Sequence, residues 1–260
     1  MEIPLFPLHT VLCPGIVLPL HVFEERYRAM TQRCLDTGEP FGVVLIRDGR
    51  EVGTEGVATL AGVGAFAEIR EAGRYPDGRY DLLAAATGRF AIESVDAIRE
   101  PYLVAQVTPL DDAVGDEPRA ERLAATAIRR FVRYLDLMRA RDGESMEALD
   151  IRVEIDAPDM EDSLEAGSGA GGAETIVDGD VVPPSRLDLV IPDDPTVLSY
   201  LLSGIVEVEL PRRQELLEAE TTTERLEGLL ALLERELTLL ARRWRVFSPD
   251  PREFGGVNRS

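Results

Sequence analysis

The sequence predicts an α+β fold: a β-rich amino-terminal region, shaped as a compact sheet or partly open barrel, precedes a helical region that closes with one long helix. Three observations carry that expectation. Residues 1–110 hold short apolar runs of β-type composition punctuated by Gly, Pro and Asp. From residue 118 the apolar residues recur with helical period. Near the end, Leu226, Leu230, Leu233, Leu237, Leu240 and Trp244 follow one another at intervals of 4-3-4-3-4, a narrow stripe along a single helix.

The β-type runs are Ile16–Leu20, Phe41–Ile46, Val57–Ile69, Arg79–Ala86, Arg89–Val95 and Tyr102–Val107. Gly78 and Gly88 each precede one of these runs, so a hairpin is expected between residues 79 and 95. One helix interrupts the strands: Phe23, Tyr27, Met30 and Cys34 share a face at 4-3-4 spacing, and Gly38 is the stop signal. In the helical region Leu123, Ala127, Phe131, Leu135 and Met138 form one stripe, with Arg129, Arg130 and Arg133 mostly off it. Residues 154–185 contain nine acidic side chains, five glycines and no basic residue, which predicts a flexible acidic loop. Asp194 then caps a helix with Pro195 at its first position and Leu198, Leu201, Leu202 and Ile205 on its apolar face. Pro211 opens a short helix ending near Glu220, and Thr221 with Glu224 fits a capping box ahead of the leucine stripe. The stripe spans fewer than three heptads, so it is expected to pack on the helix at 118–140 of the same chain rather than dimerise, leaving a monomer or weak dimer. The expected division is a β-rich domain over 1–115, a helical domain over 116–248 containing the acidic loop, and a tail over 249–260.

Charge and composition exclude several function classes. With 48 acidic against 28 basic residues the chain carries a formal charge of −20, which repels phosphate backbones and makes nucleic acid an unfavoured partner. Every basic residue is arginine and no lysine occurs, so a P-loop, a Ser-Lys peptidase and Schiff-base chemistry all lack their amine. The start Met1-Glu2-Ile3-Pro4 has no basic segment, and Pro7, Pro14 and Pro19 interrupt the apolar stretch behind it; neither a signal peptide nor a membrane span is expected, which points to the cytoplasm. Cys13 and Cys34 are expected to be reduced.

Candidate chemistry is sparse. Gly62-Val63-Gly64-Ala65-Phe66-Ala67 matches a dinucleotide fingerprint in letters, but only about eight residues precede Gly73 and the Pro76-Asp77-Gly78 turn, too few for the helix that motif needs. Those glycines are expected to bend a strand. His9, Cys13, His21 and Cys34 are the soft metal-ligand candidates and follow no finger or ribbon spacing. No G-x-S-x-G elbow surrounds any serine. Arg242, Arg243 and Arg245 beside Trp244 resemble a small basic-aromatic patch, for which complementing the negative end of a helix is the simpler role. No cofactor and no metal are expected.

The opening Ile3-Pro4-Leu5-Phe6-Pro7-Leu8, the Pro14-Gly15 turn, the apolar Ile16-Val17-Leu18-Pro19-Leu20 and the Phe23-Glu24-Glu25-Arg26-Tyr27 that starts the first helix together resemble the Lon protease N-terminal (substrate-binding) domain family. Gly88-Arg89-Phe90, Pro101-Tyr102, the Pro211 to Glu218 segment and Arg225-Leu226 with its long leucine helix extend the likeness over nearly the whole chain outside the acidic loop. The resemblance implies a PUA-like β pseudo-barrel followed by an α-helical bundle. It also implies a stand-alone, non-catalytic module, because full Lon proteases carry their ATPase and Ser-Lys peptidase after this region. The partners it implies are unfolded or degron-bearing polypeptides, with a protease as a further partner in protein quality control. Its charged segment at the start of the first helix maps the substrate contacts onto Phe23, Glu24, Glu25, Arg26 and Tyr27. On the residues alone two alternatives stay open, a PUA-like RNA-binding module and a small-molecule sensor with its pocket between barrel and helices.

Overall fold

A computed structural model of the chain describes residues 1–48, 59–142 and 191–247. The elements run β1 (Glu2–Leu8), β2 (Val17–Val22), α1 (Glu25–Thr37), β3 (Phe41–Asp48), β4 (Thr59–Leu60), β5 (Val63–Arg74), β6 (Tyr80–Asp96), β7 (Leu103–Leu110), α2 (Glu117–Asp142), α3 (Pro195–Ile205), α4 (Leu210–Glu218) and α5 (Thr222–Phe247). Strands precede helices with α1 the one exception, so the chain has the α+β organisation expected of it.

The sheet closes on itself. Its path is β1-β7-β6-β5-β3, and β3 returns to β1 through a parallel pairing of Leu5 with Gly42 through Leu8 with Leu45. All other strand pairs are antiparallel, with β2 added alongside β6 and the short β4 alongside β3. Closure removes the free edges that an open sheet of this size would expose.

The expected hairpin between residues 79 and 95 does not form. No hairpin separates residues 79–86 from 89–95; they form a single strand of 17 residues, β6. The chain turns only at Gly78, whose φ of 86° suits glycine, while Gly88 stays in the strand opposite Phe66. A register shift opposite Phe66 and Ala67 leaves Thr87 as an extra residue in β6 and bends the pair at that point. The bend lets the first half of β6 pair with β2 and the second half with β7 while β5 follows it throughout. The run at 57–69 is likewise divided: β4 ends at Leu60, Ala61 and Gly62 intervene, and β5 continues past Ile69 to Arg74.

Local signals set the helix ends. Gly38 closes α1 in the left-handed region at φ 71°, donating its N–H to the Cys34 carbonyl. The Asp194 carboxylate accepts from the Thr196 and Val197 N–H groups at 2.7 and 3.0 Å, and Pro195 follows it. At α5 Thr221 Oγ1 accepts from the Glu224 N–H at 3.1 Å while Glu224 reaches back to the Glu220 N–H at 3.2 Å.

Three apolar clusters fill the interior. One lies under α1, where Tyr27, Met30 and Cys34 meet Phe6, Phe41 and Leu82. The second joins the helices, with Phe131 and Tyr134 of α2 against Leu226, Leu229, Leu233 and Leu240 of α5. The leucine stripe therefore packs within the chain, and α2 and α5 lie parallel: Arg119 pairs with Glu227 at 2.6 Å and Arg130 with Glu234 at 3.3 Å further along both. A third cluster bridges the two halves, setting Ile3, Leu5 and Phe90 of the barrel against Tyr200 and Leu217. On α3 the buried face is Leu198, Ser199, Tyr200, Leu202 and Ser203, so Tyr200 takes the inward position that Ile205, 37% exposed, was expected to hold. The acidic segment 154–185 and the tail 249–260 lie outside the described residues.

Candidate functional site

β2 ends on the buried Val22, and Phe23 follows it outside the helix, since α1 begins at Glu25 behind an extended Glu24 (φ −71°, ψ 137°). That offset separates two aromatics expected on one face. Tyr27 is 5% exposed and its ring lies 4.2 Å from Phe6, whereas Phe23 is 62% exposed. Of the five candidate contact residues, Tyr27 is core, with the Arg26 guanidinium 4.5 Å over its ring and Arg26 paired to Glu24 at 2.9 Å. Phe23 and Glu25 face solvent and Glu24 is half-buried.

The fold adds residues that the sequence reading did not place here. The tip of the β5–β6 hairpin, closed by Tyr75 N–H to Arg79 O and Gly78 N–H to Tyr75 O, both 2.9 Å, comes up beside the start of α1. Arg28 holds it there by donating to the Asp77 carbonyl at 3.1 Å. The His21 ring lies 6.3 Å from Phe23, nearly parallel to it, and 6.1 Å from Tyr75, edge on. His21 Nδ1 lies 2.6 Å from an Asp81 carboxylate oxygen, and the Tyr75 hydroxyl donates to the other. Arg79 sits 5.3 Å over the Tyr75 ring and pairs with Asp77 at 2.8 Å. The Tyr75 hydroxyl, then His21, hold the Asp81 carboxyl below the usual carboxylate range, and the same bond raises the Tyr75 phenol. The result is an open platform of three rings, with Phe23 most exposed, rimmed by charges of both signs. It can hold an apolar or aromatic side chain by stacking and steer its neighbours by charge.

A second polar cluster is buried at the junction of barrel and helices. Gly88-Arg89-Phe90 and Arg225-Leu226 were noted as sequence motifs without a role. Arg89, 3% exposed, donates to the carbonyls of Leu217 at 2.8 Å and Ala219 at 2.7 Å and pairs with Asp112 at 3.0 Å. Arg225, fully buried, donates to Leu216 O at 3.1 Å and Ala219 O at 3.3 Å. These are the carbonyls that α4 leaves unpaired at its end, so two arginines cap one helix. Arg225 also stacks 3.8 Å over the Tyr200 ring, whose hydroxyl donates to Asp112. Burial lowers the Arg225 guanidinium and raises the Tyr200 phenol. The available signal was a charge set inside an otherwise apolar strand or helix face.

The remaining candidates are dispersed. Cys13 and Cys34 are free and buried, each thiol pushed up to about 11 by burial. Among the described residues no group of three or more His, Cys, Asp or Glu is arranged to hold a metal ion. Gly64 lies in β5, where a Cβ would come within 2.5 Å of the Phe90 ring and 2.6 Å of the Val43 carbonyl; it serves close packing, and a strand rather than a helix follows it. Arg242, Arg243, Trp244 and Arg245 fall in the last turns of α5, their side chains outside the described residues. No helix among the described residues is long and apolar enough to cross a membrane.

Comparison with known proteins agrees with this architecture. The chain is 26% identical over 244 residues to Lon protease of Escherichia coli (strain K12), covering 92% of this chain and 25% of that protein. It is 25% identical over 243 residues to Lon protease of Brevibacillus choshinensis, with 92% and 25% covered. It thus spans about a quarter of the length of these relatives. Two solved structures share the fold: a Lon N-terminal domain protein from Xanthomonas campestris, with TM-score 0.54, 23% identity and 89% of this chain and 98% of that one covered, and the N-terminal domain of Mycobacterium avium complex Lon protease, with TM-score 0.55, 16% identity and 90% and 98% covered. A family model matches residues 2–235, and on that match the chain belongs to the ATP-dependent protease La (LON) substrate-binding domain family.

Proposed function

We propose that this chain recognises unfolded or degron-bearing polypeptides without itself doing chemistry on them, and that it works beside a protease as an adaptor in protein quality control. The observation that carries the reading is the Phe23 platform: a large apolar ring, 62% exposed, beside two further rings and a charged rim, on a chain of a substrate-binding family. An exposed phenylalanine gains free energy when a client side chain covers it, and unfolded chains are where apolar side chains are free to do so. Phe23, Glu24, Glu25 and Arg26 form the client contact together with His21, Tyr75 and Arg79. Tyr27 acts from beneath by fixing where α1 starts. The β-rich domain over 1–115 carries this surface, and the second domain, over 116–248, supports it.

The test is fluorescence anisotropy of a labelled, permanently unfolded protein titrated with the chain without ATP, at low and high salt. Saturable binding on the order of tens of micromolar that survives salt is expected, with Phe23→Ala weakening it roughly tenfold. Binding that vanishes in salt, or that ignores Phe23→Ala, overturns the reading.

A further inference from the structure

The parallel packing of α2 and α5 brings their carboxyl ends to one end of the helical layer, where both helix dipoles are negative. In a chain of net charge −20, residues 129–138 of α2 hold three arginines against one aspartate. Between the helices runs a groove of about 630 Å³ lined by Arg129, Arg130 and Arg133 on one wall and Glu234, Leu237 and Thr238 on the other. Arg129 and Arg133 are exposed. Arg129 donates to the Thr126 hydroxyl at 3.0 Å, and Arg130 donates to Leu230 O and to Glu234, both at 3.3 Å. Among the described residues neither Arg129 nor Arg133 has a carboxylate partner. Elsewhere among the described residues most exposed arginines are matched by a carboxylate.

We infer that this groove docks a short acidic polypeptide segment bearing an apolar side chain. Charge complementarity supplies the first half of the argument: guanidinium forks at i, i+1 and i+4 span about 6 Å of helix, the reach of two or three residues of extended peptide. The half-buried Leu237 on the facing wall supplies the second, a floor for one apolar side chain. Glu234 stands on that wall 70% exposed and sets the limit on what enters. A long uniform polyanion would run across it and onto an acidic surface, whereas a short segment can put its apolar residue there and its carboxylates on the arginines. The groove is separate from the Phe23 platform and does not depend on it.

The experiment is anisotropy of a rhodamine-labelled decapeptide of alternating Glu and Leu, with two competitors, the matching Lys-Leu peptide and a single-stranded oligonucleotide of equal charge. It is run at about 50 and 300 mM salt. Wild type is expected to bind the acidic peptide in preference to both competitors. The triple variant Arg129→Gln, Arg130→Gln, Arg133→Gln is expected to weaken that binding roughly tenfold. Arg133→Glu, a single change at an exposed position with no hydrogen bond or ion pair among the described residues, is expected to weaken it several-fold at low salt with an unaltered urea midpoint. Equal binding by wild type and both arginine variants, or displacement by the oligonucleotide more readily than by free acidic peptide, overturns the inference.

Discussion

The same three components are assembled twice in this molecule. At the hairpin tip the Tyr75 hydroxyl donates to Asp81 under the guanidinium of Arg79, 5.3 Å over the ring; at the junction the Tyr200 hydroxyl donates to Asp112 under Arg225, 3.8 Å over the ring. The first set stands in water. The second is closed off, with Arg225 at 0% exposure and Arg89 at 3%. In water the ion pairs are screened and contribute little, which leaves the rings beside them free for another molecule. Inside, each guanidinium has lost its hydration and depends on every carbonyl and carboxylate it touches, so the cluster fixes how α3, α4 and α5 sit on the barrel.

The largest expected effect follows from removing one arginine from each set. Arg225→Ala strands the Leu216 carbonyl and leaves a buried cavity beside the Tyr200 ring, and should cost about 3–5 kcal/mol in urea unfolding. Arg79→Ala at the tip should stay within about 0.5 kcal/mol. Equal costs would break the comparison. The aromatic pair at the start of α1 sharpens it: Tyr27→Ala opens a cavity against Phe6 and should cost about 3 kcal/mol, whereas Phe23→Ala should leave thermal unfolding almost unmoved. Smaller is the loss of one hydroxyl. Tyr200→Phe should cost about 1–2 kcal/mol, since Asp112 keeps Arg89, and Tyr75→Phe close to nothing.

The smallest expected effect is in pH. Cys13, in the junction cluster, and Cys34, on the inner face of α1, both have thiols held at about 11 against an ordinary 9.0. Burial favours the neutral thiol in the folded chain. Their contribution is therefore complete below pH 9, declines as the unfolded thiols ionise, and is gone above 11. Unfolding midpoints measured from pH 8 to 11 should drift downward, and Cys13→Ala with Cys34→Ala should flatten that drift. An unchanged drift in the double variant would assign it to other groups.

Much of the fold was legible because its signals are local. Asp194 with Pro195, Gly38 after α1, and Thr221 with Glu224 act on hydrogen bonds within one turn of themselves, and they mark the helix ends observed. The leucine stripe of α5 and its packing on α2 were equally readable, because a face that apolar must be covered by something near it. The candidate site was legible only in part. The spacing of Phe23 and Tyr27 fits one helix face, yet a helix that begins two residues after Phe23 turns that ring out to solvent. His21, Tyr75, Arg79 and Asp81 carry no motif, and they meet because β6 pairs with both β2 and β5.

By itself, then, the sequence determined the change from strands to helices, most helix ends, the acidic charge and the family pattern, all of which depend on near neighbours or on composition. Tertiary structure alone decided that Gly88 passes through a strand where Gly78 turns one, that β3 closes the sheet onto β1, and that α2 and α5 end side by side. It also decided which tyrosine, which aspartate and which arginine meet water. Residues of one type are chemically identical along the chain, and only the pairing of distant segments sets the dielectric around each of them.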